Sequence, residues 1–204
     1  MKEYPHIQGP SKAPHLPCIG FYKYDGSNIR IEWSRKKGWH KYGTRHQMID
    51  RSHEVFGTAV DLFHNTVAPK IDPILKSEFR NCESFVAFCE FFGPNSFAGT
   101  HIPEDTKVLK FFDINVYKKG ILSPKEFVNL FGNLDVSAKV VYVGDFNQTL
   151  ISNVRENTLE TPLNEGVVCK GGSGHNLWMA KIKTQEYLNK LYSRFGKDWE
   201  KYAE

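Results

Sequence analysis

Long apolar runs are absent from this sequence. No stretch approaches the roughly 18 uncharged apolar residues that cross a membrane, and residues 1–6 carry charge with no apolar run behind it. Neither a membrane span nor a secretion signal is therefore expected. Cysteine is scarce too, and the four cysteines are scattered without a C-x-x-C pair. This pattern argues against a zinc site and for a reducing compartment, the cytoplasm or a host's cytoplasm if the chain is viral.

Repeats, low-complexity tracts and long Gly/Ser linkers are also missing, so the 204 residues are expected to form a single domain over 1–204. Hydrophobic residues make up 40% of the chain and charged residues 25%, which supplies a core and excludes a disordered protein. Four prolines within residues 1–17 predict an extended N-terminal arm on the surface, because proline fixes φ and removes a backbone donor. Residues 184–204 are expected to form a C-terminal helix.

Positive charge is present but unevenly spread. The net charge is +4, yet the segment from Lys23 to Arg51 alone has eight Lys or Arg against three acids. A local basic surface suits phosphate ligands or nucleic acid, and a solvated charged hairpin explains the segment equally well. The eight histidines are assigned no role.

Strand and helix signals mix irregularly along the chain, which predicts an α+β fold. Apolar residues three and four apart favour a helix over 53–75, interrupted near Pro69 and Pro73. A capping box at Ser123 starts a short helix, and Thr184 can cap a last one. Aromatic and β-branched residues favour strands on both sides of a tight turn within 19–33, a hairpin over 34–44, and strands over 84–93, 108–117, 139–144, 166–170 and 177–183.

Lys23 is the first candidate for chemistry, in the run Phe-Tyr-Lys-Tyr-Asp-Gly-Ser-Asn over 21–28. It ends an apolar strand and is followed by an acid and a turn glycine. A lysine amine attacks only when neutral, and its ordinary pKa near 10.4 leaves little neutral form unless burial or neighbouring cations lower it. Taken alone, the segment is better explained by an exposed lysine beside a hairpin turn.

Later strands also carry charge among apolar residues. Glu90 lies within the apolar run 84–93 and needs a partner, since an unpaired buried carboxylate is costly. Glu165 opens the apolar strand 166–170 with a Glu-Gly pair. Lys181 and Lys183 project to one face at a period of two, where they must meet water, an acid or phosphate.

Four motifs therefore follow one another in a fixed order: a K-x-D-G run from Lys23, an apolar strand with Glu90 and Gly93, an E-G-V-V-x-K run from Glu165, and a K-x-K pair ending at Lys183. In this order the chain resembles the covalent nucleotidyltransferase superfamily of polynucleotide ligases and mRNA capping enzymes. Each motif is weak alone, and four in order over most of the chain are specific.

Two further segments favour one branch of that superfamily. Asn28 stands where DNA ligases and capping enzymes usually carry Arg, so the chain is most similar to the ATP-dependent RNA ligases. The run Phe-Phe-Asp-Ile over 111–114 resembles the ligase segment that supplies an aromatic ring to the nucleotide base. The fold that this implies is a nucleotidyltransferase domain of antiparallel sheets with flanking helices.

The resemblance also implies a mechanism. Lys23 would attack the α-phosphate of ATP, expel pyrophosphate and carry AMP on its side-chain nitrogen. Lys181 and Lys183 would lie against that phosphate and help keep Lys23 unprotonated. Glu165 would hold Mg²⁺, directly or through water. The AMP would then activate a 5′-phosphate end of a nucleic acid, RNA favoured, for attack by a 3′-hydroxyl end.

The remaining implied contacts concern the rest of the nucleotide. Glu90 would accept hydrogen bonds from the ribose, and Phe112 would stack on adenine unless it packs in the core. Arg45 would contact phosphate, with Arg35 as its competitor, and Asn28 would lie near the phosphates unless it only stabilises the turn. Tyr22 joins this set at a position where some RNA ligases have an acid, which leaves GTP open as the nucleotide.

The chain also departs from the superfamily. About 20 residues follow Lys183, so the resemblance implies a catalytic domain that lacks a C-terminal OB-fold and leaves room for an accessory protein or domain. Lys170 closes the E-G-V-V-x-K run, and a solvated charge is the leading alternative for it. The alternatives are a DNA nick ligase, a capping-type guanylyltransferase, and a nucleic-acid-binding protein without turnover.

Overall fold

The computed structural model describes residues 1–203, which divide into two compact units with one antiparallel sheet each. The first unit contains residues 1–5, 26–122 and 126–138, and the second contains 6–25, 123–125 and the chain from 139 onward. The predicted α+β class with antiparallel sheets and flanking helices is confirmed. The expectation of a single domain over 1–204 stays a prediction.

The strands, in chain order, are β1 (Pro17–Lys23), β2 (Ser27–Ser34), β3 (Gly38–Gly43), β4 (Met48–Ile49), β5 (Ser84–Phe92), β6 (Val108–Val116), β7 (Gly120–Ile121), β8 (Val140–Asp145), β9 (Gly166–Gly171) and β10 (Trp178–Lys183). The helices are α1 (Gly57–Leu62), α2 (Ala68–Glu78), α3 (Pro124–Phe131), α4 (Gln148–Arg155), α5 (Gln185–Phe195) and α6 (Glu200–Ala203). Within residues 1–203, no helix is both long and apolar enough to cross a bilayer.

The sheet of the first unit has six strands in the order β4-β3-β2-β5-β6-β7. Strand alternation places Ile29 and Ile31 of β2 in the core, where neither has exposed surface. A π-helical turn, Phe63–Val67, joins α1 to α2. The expected interruption at Pro69 and Pro73 is wrong, since α2 runs through both. Pro69 stands in the first turn of α2, where a missing N–H costs little.

The sheet of the second unit has four strands in the order β10-β9-β1-β8. The chain thus passes from β1 into a strand of the other sheet, so the turn after Lys23 is not a hairpin turn. Thr184 caps α5 as predicted, accepting a hydrogen bond from the Tyr187 N–H at 3.1 Å. Helix α4 was not predicted, although Asn147 gives a signal for it: its side chain accepts from the Leu150 N–H at 2.9 Å.

Candidate active site

A buried carboxylate joins two lysines in the second unit. Glu165 Oε2 accepts a hydrogen bond from Lys23 Nζ at 2.7 Å, and Glu165 Oε1 lies 3.0 Å from Lys183 Nζ. The Glu165 side chain is 4% exposed and that of Lys183 7%, while Lys23 keeps 20%. Although Lys23 and Glu165 are 142 positions apart in the sequence, the three residues form one cluster that pairs a reachable amine with a fixed second cation.

Strand register builds this cluster. Lys23 at the end of β1 is opposite Gly166 at the start of β9, and Lys183 at the end of β10 is opposite the same glycine. A Cβ on Gly166 would lie 2.0 Å from the carbonyl oxygen of Ile182, so no side chain fits between the two lysine-bearing strands. Glycine at this position therefore lets both lysines reach the carboxylate that precedes it.

Lys183 is held on several sides. Its ammonium donates to the backbone carbonyl of Tyr202 at 2.7 Å and lies 4.9 Å from the centre of the Tyr187 ring, in addition to the Glu165 contact. Burial lowers the pKa of this ammonium, Glu165 opposes that shift, and the charge of Lys23 adds to it. A buried cation of this kind has little hydration to lose when an anion arrives.

Two other predicted residues belong to the same unit. Lys181 is half-buried on the same face of β10, two residues from Lys183, as the spacing predicts. The hydroxyl of Tyr22 accepts a hydrogen bond from the Asn164 N–H at 3.1 Å, so Tyr22 braces the segment just before Glu165. The structure thus gives Tyr22 a positioning contact to this segment.

The first unit holds the predicted ribose and phosphate contacts. Asn28 and Glu90 are directly opposite each other on β2 and β5, and so project to one face of the sheet. Gly26, the glycine of the K-x-D-G run, is required by close packing, because its Cβ would lie 2.3 Å from the carbonyl oxygen of Phe91. Asn28 therefore lies two residues after a point at which two backbone segments are in close contact.

Phe112, the predicted adenine contact, occupies a β-bulge. The register passes from Phe111 to Asp113 without pairing it, and a bulge re-aims the side chain that it carries. Its half-buried ring meets the Tyr4 ring edge-on, with centroids 5.0 Å apart. Tyr4, in turn, donates to Asp113 Oδ2 at 2.8 Å, and burial raises its pKa well above the ordinary value.

This contact anchors the expected N-terminal arm and was missed in the sequence. Tyr4 is 8% exposed, while Glu3 and Pro5 beside it are exposed, so the Tyr4 side chain anchors the start of the arm in the first unit. Asp113 is 1% exposed. An acid inside the apolar run 108–117 was the available signal, of the same kind that singled out Glu90.

The arginines of the basic segment take different places. Arg45 is exposed in the turn between β3 and β4. Arg35 donates to the carbonyls of Arg80 and Cys82 at 3.0 and 3.4 Å, so its guanidinium binds the segment that follows α2. Arg30 is buried and donates to the Thr44 carbonyl at 2.9 Å. Part of the excess positive charge between Lys23 and Arg51 thus comes from arginines that hydrogen-bond to backbone carbonyls.

Lys170 is not a solvated charge. It is 4% exposed, and its ammonium lies 5.0 Å from the centre of the Phe21 ring. The E-G-V-V-x-K run therefore supplies a buried cation as well as a buried acid, and a lysine closing a strand that is otherwise buried was the signal for it.

Over residues 1–203, no group of three or more His, Cys, Asp or Glu side chains is arranged to hold a metal ion. The single carboxylate of Glu165 still fits Mg²⁺, which keeps several waters and binds through one or two carboxylates together with substrate phosphates. A metal here would be held jointly by Glu165 and a nucleotide.

Comparison with known proteins gives one sequence family and several solved structures. A sequence model of the family described as RNA ligase matches residues 17–183. No curated protein matches the sequence.

Three solved structures illustrate the likeness of fold. A putative ATP-dependent DNA ligase from Aquifex aeolicus aligns with a TM-score of 0.65 at 18% identity, covering 98% of this chain and 56% of that one. A Naegleria gruberi RNA ligase variant, solved with ATP and Mn, aligns with a TM-score of 0.63 at 15% identity, covering 93% and 58%. An archaeal ATP-dependent RNA ligase gives 0.65 at 14%, covering 97% and 52%. This chain thus spans little more than half the length of each.

Proposed function

Because the chain belongs to the RNA ligase family, we propose that it is an ATP-dependent RNA ligase that works through a lysyl-AMP intermediate on Lys23. The observation that carries the proposal is the cluster in which Glu165 joins Lys23 at 2.7 Å and Lys183 at 3.0 Å. Attack of a lysine on phosphorus needs its amine, a group that orients it and a fixed cation for the phosphate, and the cluster supplies all three.

In the first step, Lys23 Nζ, which is partly exposed, releases a proton to water and forms a bond to the α-phosphorus of ATP, while the bond from phosphorus to the pyrophosphate oxygen breaks and pyrophosphate leaves. Glu165 holds the Lys23 nitrogen in place before attack. Lys183, whose position is set by Glu165 and Tyr187, offsets the charge that grows on the phosphate oxygens. Lys181 adds a second cation on the same face of β10.

Mg²⁺, when bound, would reduce the negative charge of the ATP phosphates. Glu165 is the residue that we assign to it. The Naegleria gruberi RNA ligase variant was solved with ATP and Mn, which supports a nucleotide and a divalent ion for this chain as well. Each oxygen of Glu165 contacts one lysine, which leaves further lone pairs of the carboxylate for a metal ion or its water.

We assign the remaining nucleotide contacts as the sequence suggests them. Glu90 binds the ribose, Phe112 stacks on the adenine, and Asn28 and Arg45 approach phosphates. The shared face of Asn28 and Glu90 and the bulge that turns Phe112 out of register support these assignments. Tyr22 would act through its hold on the segment before Glu165.

In the two later steps, AMP passes from Lys23 to a 5′-phosphate end and is released when a 3′-hydroxyl attacks that end. RNA is the favoured polynucleotide because the matching family is the RNA ligases, and a DNA nick ligase is the second candidate because a putative DNA ligase shares the fold. We include an accessory protein or domain as a partner that helps to grip the ends. We place the reaction in the cytoplasm, or a host's cytoplasm, since all four cysteines are free thiols.

Mass spectrometry after incubation with ATP and magnesium tests the first step. We expect the chain to gain the mass of one adenylyl group, and the Lys23→Ala variant to gain none. Lys37→Ala, at an exposed lysine in the turn between β2 and β3, is the matched control and should label fully. Labelling of Lys23→Ala would place the nucleophile elsewhere.

The polynucleotide is tested with nicked duplexes and single strands of RNA and DNA, each carrying a 5′-phosphate and a 3′-hydroxyl. We expect joining of RNA ends above DNA ends. Equal or faster sealing of nicked DNA would favour the DNA ligase, and labelling by GTP in place of ATP would favour the guanylyltransferase.

A further inference from the structure

A histidine without an assigned role ties together two strands of the first unit. His101 Nε2 lies 2.8 Å from the hydroxyl of Ser27, the first residue of β2, and His101 Nδ1 lies 3.2 Å from the hydroxyl of Ser96. Ser96 in turn accepts a hydrogen bond at 2.8 Å from the N–H of Gly93, the residue that follows β5. One imidazole thus links the start of β2 to the end of β5.

The ring is held by packing as well as by hydrogen bonds. It is half-buried and meets the edge of Phe56, with centroids 5.4 Å apart, and the ring of Phe91 at 5.2 Å. These aromatic contacts fix the plane of the imidazole, so both nitrogens keep their directions toward the two serines.

The loop that carries His101, residues 93–107, is itself ordered by its own contacts. Phe97 and Thr100 exchange two backbone hydrogen bonds around a tight turn. The buried carboxylate of Asp105 accepts hydrogen bonds from the backbone N–H and side-chain amide of Asn95, at 3.0 and 2.7 Å. A Cβ on Gly93 would lie 2.7 Å from the Asp105 side chain, so this glycine allows the loop to close against β5.

Hydrogen-bond accounting favours one neutral tautomer. Ser96 Oγ already accepts from Gly93, so its single O–H is best used to donate to His101 Nδ1, and His101 Nε2–H then donates to Ser27. The group behind Nδ1 is a hydroxyl rather than a carboxylate. The pair is therefore not a serine nucleophile with a base and an orienting acid.

We propose that His101 is a positioning residue for the nucleotide: by joining the ends of β2 and β5 it fixes Asn28 and Glu90 on their shared face. The inference rests on the proposed function, since it takes Asn28 and Glu90 as nucleotide contacts. Asn28 directly follows Ser27, and Glu90 is opposite Asn28 and three residues before Gly93. A shift of either strand end would change the spacing of these two side chains.

Protonation of His101 would weaken the link. Nδ1 would become a donor and could no longer accept the Ser96 O–H, so this hydroxyl would have to turn and its proton would lose this acceptor. Burial lowers the pKa of His101, the nearby Lys107 lowers it further, and Asp105 opposes the shift. The groups that face the ring from β2, β5 and the segment before α1 are uncharged: Ser27, Phe91 and Phe56. The link is thus intact at neutral pH and weakens in mild acid.

The test compares the ATP dependence of lysyl-AMP formation in the full chain and in His101→Phe, which keeps an aromatic ring against Phe56 and Phe91 but removes both nitrogens. We expect KM for ATP to rise about tenfold, the scale of one lost hydrogen bond, while kcat changes much less. Ser27→Ala removes the same bond from the other side, and the double variant should be no worse than His101→Phe alone. His15→Phe, at an exposed histidine of the N-terminal arm, is the control.

A pH series separates positioning from a merely structural role. Below the pKa of His101, KM for ATP of the wild-type chain should rise toward that of His101→Phe, so the ratio of the two falls toward one. An unchanged KM in both His101→Phe and Ser27→Ala, or a ratio that does not vary with pH, would overturn the inference. If His101→Phe fails to fold, Ser27→Ala decides alone. A wild-type chain that forms no lysyl-AMP would overturn the proposed function and this inference with it.

Discussion

Lys183 donates a hydrogen bond to the backbone carbonyl of Tyr202 at 2.7 Å. The carbonyl belongs to α6, which is fastened to α5 by the Tyr202 ring stacked on Phe195 with centroids 3.8 Å apart. Glu165 and the Tyr187 ring take two other sides of the same ammonium. A phosphate that binds Lys183 must therefore compete with the backbone carbonyl of Tyr202.

Tyr202→Ala should lower KM for ATP in lysyl-AMP formation by several-fold. The substitution removes the stacked ring, loosens α6 and frees the Lys183 ammonium for phosphate, since a competing internal contact reduces the apparent affinity of a ligand. Tyr117→Ala, at an exposed tyrosine of the other unit, is the control and should leave KM unchanged.

Hydrogen exchange gives an independent measure of the same contact. Amides in residues 196–203 should exchange faster once the chain carries AMP than before. A KM for Tyr202→Ala equal to or above the wild-type value, together with unchanged exchange, would show that the Tyr202 carbonyl does not compete with phosphate.

Gly166→Ala should abolish lysyl-AMP formation and reduce the free energy of unfolding by about 1–3 kcal/mol, the usual cost of overpacking a closed site. The added Cβ would lie 2.0 Å from the Ile182 carbonyl oxygen, and backbone cannot yield as the end of a side chain can. Strands β9 and β10 would separate, and Lys183 would move from Glu165.

The matched control is Gly9→Ala, where the backbone is extended and a Cβ meets no atom within 4 Å. Chemical denaturation and the adenylylation assay check both variants. A Gly166→Ala chain that labels at the wild-type rate would remove strand spacing as the basis of the cluster.

The sequence predicts those features of the fold that depend on residues close together in the chain. Thr184 caps α5 as expected, since the cap depends on a residue only three positions away. The period-two pair, Lys181 and Lys183, is placed on one face because strand alternation is local. The approach of Lys23 to Glu165 depends on strand register across 142 positions, and only the order of motifs in a resembling family could suggest it.

The sequence could not reveal the stabilising contacts between residues that lie far apart in the chain. The Tyr4 hydroxyl reaches Asp113 over 109 positions, from an arm whose prolines predict an exposed, extended course. His101 contacts Ser27 across 74 positions, and a lone histidine in a polar loop has no spacing pattern from which this contact could be predicted. Charge alone predicts that Lys170 is solvated, and it is buried because its strand is.

The alkaline limit of lysyl-AMP formation should lie below the ordinary lysine pKa near 10.4. The pKa of Lys183 is lowered chiefly by burial, so the ammonium loses its proton before a free lysine would, and the cation that we assign to the phosphate is lost as pH rises through that value. The rise in KM for ATP in alkaline solution should therefore begin early.

Lys183→Arg checks this assignment, because a guanidinium stays charged over the whole range. The variant should be slower but show no early alkaline rise in KM. If KM for ATP of Lys183→Arg rises at the same alkaline pH as that of the wild-type chain, the titrating group is not Lys183.

Stability should respond to the same titration with a definite sign. Because the folded-state pKa of Lys183 lies below its unfolded value, the unfolded chain binds more protons between the two values, so this residue makes the folded state gain stability as pH rises through that window. The free energy of unfolding of the wild-type chain and of Lys183→Met is measured across that pH range. The difference between their slopes against pH is the contribution of Lys183.

Glu165→Gln should cost about 3–5 kcal/mol of the free energy of unfolding, because it leaves two lysines beside a buried site without their carboxylate. Glu165 is 3% exposed, and its oxygens contact Lys23 at 2.7 Å and Lys183 at 3.0 Å, so the amide cannot replace both ion pairs. Removal of the carboxylate also takes away the group that opposes the lowering of the Lys183 pKa, so the alkaline rise in KM for ATP should begin at lower pH than in the wild-type chain.

Glu186→Gln is the matched control: its ion pair with Lys190 is exposed, and its loss should leave both stability and adenylylation almost unchanged. Denaturant unfolding and the ATP dependence of labelling measure both effects, and equal stability of the two variants would mean that the lysines find other partners when Glu165 is removed.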